Sequence, residues 1–181
     1  MKITQLLCLA FATIIAAPVL AQDTAAQTAA IETPAIETPE IGPEVGPETN
    51  LPLPRYVSLK AKEANVRRGP SLTHRIDWVF QRRDMPLQVV AEYGHWRRVI
   101  DRDGQGGWVH YTMLSGVRTV IVDQDRLPLR VKPTDTAAER AELELNVIAR
   151  LGECDEDWCE LTAGGYTGWA HKSVLWGVDE D

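Results

Sequence analysis

Short runs of β-branched and aromatic residues, broken by glycine, proline and aspartate, dominate residues 55–178. Tyr56 to Lys62 reads as a strand, and Leu87-Gln88-Val89-Val90-Ala91 as a β-branched, apolar one. Trp96 to Asp101 forms another, and Gly107 to His110 a short last one. Gly94 is placed to turn one hairpin and Asp103-Gly104-Gln105-Gly106 the next. Strands this short, within about 60 residues, predict a small closed barrel that leaves few sheet edges exposed.

The plan occurs twice. Val66-Arg67-Arg68-Gly69-Pro70, Trp96, Gly107-Trp108-Val109-His110 and Leu114 have counterparts in Leu129-Arg130-Val131-Lys132-Pro133, Trp158, Gly168-Trp169-Ala170-His171 and Leu175. A repeat of about 60 residues is too long for a solenoid unit and suits a small domain made twice. The fold class expected is all-β, with domains at 55–116 and 117–178. Val147-Ile148-Ala149 and Trp158 to Thr162 are the matching strands of the second copy. Residues 136–143 favour helix locally, but alignment of the copies places them in a loop and strand, and that alignment is followed.

The N-terminal third differs. Residues 1–21 read as an export leader, with Lys2, an apolar stretch from Leu6 to Ala17, and cleavage between Ala21 and Gln22. The stretch is shorter than the roughly 20 residues a membrane span needs, so a periplasmic protein without stable membrane insertion is expected. Residues 22–54 carry six prolines, six acids and no base. That composition predicts an extended, disordered linker.

Export changes how cysteines read. Removing the leader removes Cys8 and leaves Cys154 and Cys159, an even count that predicts a disulfide in an oxidising compartment. Closing so short a loop should stabilise by about 2 kcal/mol. Charge is divided: residues 55–116 are net +5 and residues 117–181 net −7. Arg67, Arg68, Arg82, Arg83, Arg97, Arg98 and Arg102 are candidates for a basic face toward an anionic partner, set against a merely solvated surface. Export and the acidic whole argue against nucleic acid.

Asn65-Val66-Arg67-x-Gly69-Pro70, a tryptophan opening a strand and a closing Gly-Trp-Val resemble the bacterial SH3 domain, in the form of exported alphaproteobacterial SH3-like proteins. Ile76-Asp77-Trp78-Val79-Phe80 and Trp96-Arg97-Arg98-Val99 carry the resemblance in the first copy. Glu153-Cys154, Trp158-Cys159 and Leu175-Trp176-Gly177-Val178 carry it in the second. The resemblance implies two tandem SH3-like barrels and a cell-envelope binding module, with cell-wall (peptidoglycan) peptide or an envelope protein as ligand. It implies no reaction. The second copy departs with Leu127-Pro128-Leu129 and Lys132, which puts its groove in doubt but not its fold.

Period-two alternation sets Trp96 opposite Val99, so Trp96 faces outward if Val99 faces the core. In SH3-like barrels that position lines the ligand groove. Trp96 is therefore the leading contact, with Trp78, Tyr93, Arg67, Arg68, Arg97 and Arg98 as companions. Trp158 holds the equivalent place among acids, while Trp108 and Trp169 are expected in the cores. His110 and His171 are expected to make structural hydrogen bonds, and His74 and His95 have no partner that the sequence identifies. A scaffold of two packed barrels is the alternative within binding proteins. A thiol peptidase, or a zinc site at Cys154, Cys159 and His171, is the alternative in another class. Four-residue spacing beside one histidine matches known zinc patterns poorly, and the acidic hairpin would raise a thiol's pKa. No enzyme, metal or cofactor is expected, and oligomeric state is left open.

Overall fold

A computed structural model describes residues 44–179. The leader, its cleavage site at Ala21–Gln22 and the linker up to residue 43 lie outside the described residues.

The described chain opens with a small hairpin, β1 (Glu44–Val45) against β2 (Pro52–Leu53). Composition assigns residues 22–54 to a disordered linker, and for residues 44–54 the structure corrects it. The amides of Glu48 and Thr49 both donate to the carboxylate of Glu92, at 3.0 and 2.9 Å, and Leu53 is buried in the first core. A distant acceptor and one apolar anchor supply what composition lacks. The first domain thus extends back to at least Glu44.

The first barrel comprises β3 (Arg55–Leu59), β4 (Ala64–Arg67), β5 (Ile76–Phe80), β6 (Pro86–Tyr93), β7 (Trp96–Ile100), β8 (Gly106–His110) and β9 (Leu114–Ser115). The second comprises β10 (Thr119–Val122), β11 (Leu127–Arg130), β12 (Glu139–Leu143), β13 (Ile148–Cys154), β14 (Trp158–Ala163), β15 (Tyr166–His171) and β16 (Leu175–Trp176). The sheets share one order, β5-β4-β8-β7-β6-β3-β9 and β12-β11-β15-β14-β13-β10-β16. Residues 139–143 form strand β12, as alignment of the copies requires.

Each barrel closes on its own core. Val66, Leu87, Val89, Val99 and Val109 fill the first; Val120, Leu129, Ala149, Leu161 and Ala170 fill the second. Gly94, at φ +51°, turns the β6–β7 hairpin, a backbone region that L residues with a Cβ disfavour. Buried Asp101 holds the next turn by accepting the amides of Asp103 and Gln105.

The barrels touch. Ser58 donates its hydroxyl to the Val117 carbonyl, and Thr119 donates to the Asp84 carbonyl at 2.7 Å. Tyr56 meets Trp176 edge-to-face at 5.3 Å while the Arg118 guanidinium lies 5.7 Å from the Tyr56 ring centre. Arg82 donates to the Asn146 carbonyl, and Arg102 pairs with Asp123. Opposite domain charges therefore meet at this contact.

Candidate functional site

Three cross-strand rows organise one face of the first barrel. Directly opposed residues in antiparallel strands share a face, and successive rows alternate between faces. The first row runs Tyr93–Trp96–His110, the second Glu92–Arg97–Val109 and the third Ala91–Arg98–Trp108–Arg67. Val109 is fully buried, so the middle row faces inward and its neighbours face out.

The outward rows border a groove of about 320 Å³ lined by Asn65, Arg67, Leu72, Trp96, His110 and Met113, among others. The Trp96 indole meets the His110 ring at 5.4 Å, nearly perpendicular, so the histidine braces the tryptophan. His110 in turn shares a 2.8 Å hydrogen bond with Thr112. Arg67 donates to the carbonyls of Leu72 and His74 at 3.0 and 2.7 Å, which fixes the loop carrying Leu72 as a wall.

Beside this groove, sharing Arg67 with it, lies a second hollow of about 390 Å³ around Trp108 and Arg98. Arg68 and Arg75 both pair with Asp77 at its rim. Their hydrogen bonds, Arg68 foremost, hold the Asp77 carboxyl below its ordinary range.

The predicted residues divide accordingly. Trp96 and Arg67 line the groove; Arg68 and Arg98 line the neighbouring hollow. Tyr93, 64% exposed, stands directly across from Trp96. Trp78, 48% exposed, lies apart on β5 opposite Val66 and lines neither hollow.

Arg97 requires correction. It is only 8% exposed and pairs with Glu92 at 3.3 Å, also donating to the carbonyls of Gly94 and Trp96. The alternation that turns Trp96 outward turns its neighbour in, and burial requires a partner that Glu92 supplies. Burial opposes the ionisation of Glu92, but hydrogen bonds from Thr49, Arg55 and the Thr49 and Glu48 amides overcome it and bring its pKa to about 2.

Trp108 and Trp169 are corrected too: neither belongs to a core cluster, because each alternates with a buried Val109 or Ala170. Arg82 and Arg102, expected on the basic face, are bound to the second barrel instead. Leu72, His110 and Met113 were not anticipated in the groove. Only His110 had a sequence signal, its alternation with apolar Val109, and the expectation of Trp108 in the core hid it.

The second barrel is different at the same place. Trp158 is buried beneath His171, ring centres 3.7 Å apart, so the equivalent groove is filled. His171 also contacts Asp135 at 3.1 Å. His95, unpaired in the sequence reading, packs against His110 and Tyr111. Cys154 and Cys159 are joined as a disulfide, which removes the thiolates that a peptidase nucleophile or zinc site at these positions would need.

A family model described as Bacterial SH3 domain matches residues 60–116 and again residues 123–177. The chain belongs to this family. Bacterial SH3 domains are in general non-catalytic modules that bind cell-wall or protein ligands. A search of curated proteins finds no match. Among solved structures, NlpC2 and NlpC1 from Trichomonas vaginalis share 12% and 11% identity with this bacterial SH3 chain, each with a TM-score of 0.33. The matches cover 70% and 72% of this chain and 51% and 48% of those chains. An NlpC/P60 family protein from Bacillus cereus shares 12% identity with a TM-score of 0.29, over 66% of this chain and 55% of its own. The chain therefore spans about half the length of these structures. Among the described residues, no helix is long and apolar enough to cross a membrane.

Proposed function

We propose that this chain is an exported, non-catalytic binding module of the cell envelope, and that its first barrel takes the ligand at the Trp96 groove. The ligand class is a cell-wall peptide or an envelope protein segment. One contrast carries this reading: the same fold position is an open, tryptophan-lined groove in the first barrel and a filled one in the second. The apolar leader at residues 6–17 supports export to the periplasm.

Co-sedimentation of the full-length chain with isolated cell-wall sacculi, at low and moderate salt, tests the proposal. Binding that weakens with salt and is lost in Trp96→Ala, with the fold retained, is the expected result. Binding unchanged by Trp96→Ala would remove the groove from the account. No binding at either salt would favour the second reading, a scaffold for envelope proteins, which the contact between the two barrels supports.

A further inference from the structure

The hollow beside the groove has a composition of its own. Trp108 sits in register between Arg67 on β4 and Arg98 on β7, so one indole is flanked by two guanidinium-bearing residues on the outer face. Ile100 adds apolar surface, and Arg68 stands at the rim. Gly104, Gly106 and Gly107 and the Asp77 carboxylate, whose charge Arg68 and Arg75 offset, complete the lining. Packing enforces two of these glycines: a Cβ on Gly106 would lie 1.9 Å from the Val99 carbonyl oxygen, and one on Gly107 2.7 Å from that of Arg67. Their consequence is a floor without side chains next to an aromatic ring. At about 390 Å³ the space is in the range of small-molecule sites.

From this geometry we infer that the Trp108 hollow binds a sugar ring bearing a carboxylate. The backbone floor and indole suit the apolar face of a ring better than a branched side chain. Arginine matches a carboxylate with two parallel donors, which a lysine in the same place would not. Arg98 is exposed, and its guanidinium makes no hydrogen bond or ion pair among the described residues. Arg67 is already held by two carbonyls, so it contributes charge and position. The second barrel supplies an internal control. There the same row reads Arg130–Trp169–Glu160, with a carboxylate where the first barrel has Arg98, and it should repel the same ligand. This site lies on the same outer face as the Trp96 groove but does not depend on that groove being occupied.

The test is an NMR titration of the full-length chain, following the tryptophan indole N–H signals. The probe is a tetramer of glucuronate, with a neutral glucose tetramer as control. The Trp108 signal should shift saturably with the acidic probe and not with the neutral one. Arg98→Glu, which reproduces the arrangement that the second barrel already folds with, should weaken binding by about tenfold or more. An equal response to the neutral tetramer, no response to the acidic one, or unchanged affinity in Arg98→Glu would overturn the inference. Inorganic phosphate binding as tightly as the tetramer would overturn the sugar-ring assignment. Trp96→Ala should leave the Trp108 titration intact, so loss of sacculus binding in that variant and failure at Trp108 are separate results.

Discussion

Glu92 and Arg97 face each other across the β6–β7 hairpin at the register position that Cys154 and Cys159 occupy across β13 and β14. One copy closes this hairpin with a buried ion pair and the other with a covalent bond. The ion pair has a second task, because the Glu92 carboxylate also receives Arg55 at 2.6 Å and the amides of Glu48 and Thr49. The two barrels should therefore lose stability to different insults.

Acid should act through Glu92. Its pKa falls from an ordinary 4.5 to about 2 on folding, so the folded state favours the ionised form. The contribution, on the order of 3 kcal/mol, is present in full above about pH 5 and is lost as pH falls toward 2. Urea unfolding between pH 2.5 and 7 should show this slope, and Glu92→Gln should flatten it while lowering stability at neutral pH.

Arg97→Ala should destabilise the first barrel by about 2 kcal/mol or more, since it strips a buried carboxylate of one partner while Arg55 remains. Arg98→Ala, one residue on, should stay within about 0.5 kcal/mol of wild type. Chemical denaturation of both variants checks the difference; equal losses would contradict the inward row.

Cys154→Ser should lower stability by about 2 kcal/mol, the chain-entropy value for so short a loop. The loss should match that produced by reductant on the wild type, and binding at the Trp96 groove should survive it. A denaturation curve with and without reductant, paired with the sacculus assay, checks both.

Tyr56→Ala removes the edge-to-face contact with Trp176 and the platform beneath Arg118. Such contacts contribute about 1 kcal/mol beyond the area they bury. Calorimetry should show the melting transitions of the two barrels drawing apart in this variant.

The strand pattern and the repeat were enough to place both barrels, because copy alignment outweighs local propensity: residues 139–143 became strand β12 despite their helix-favouring composition. The same period-two rule that turned Trp96 outward should have turned Arg97 inward and Trp108 outward. It was overridden by residue type, since charge suggests surface and indole suggests core. The structured stretch from Glu44 to Pro54 was not legible. Its order depends on Glu92, more than 40 residues away in the chain, and local composition carries no trace of a partner so distant.

The hairpin at residues 44–53 also sets how the molecule carries load. Tension arriving from the N-terminal segment meets the Glu48 and Thr49 amides on Glu92, and the Gly94 amide on Glu48, before it reaches strand β3. Those hydrogen bonds lie ahead of the barrel in the chain, so an N-terminal load falls on this clasp before it falls on the strand ladder.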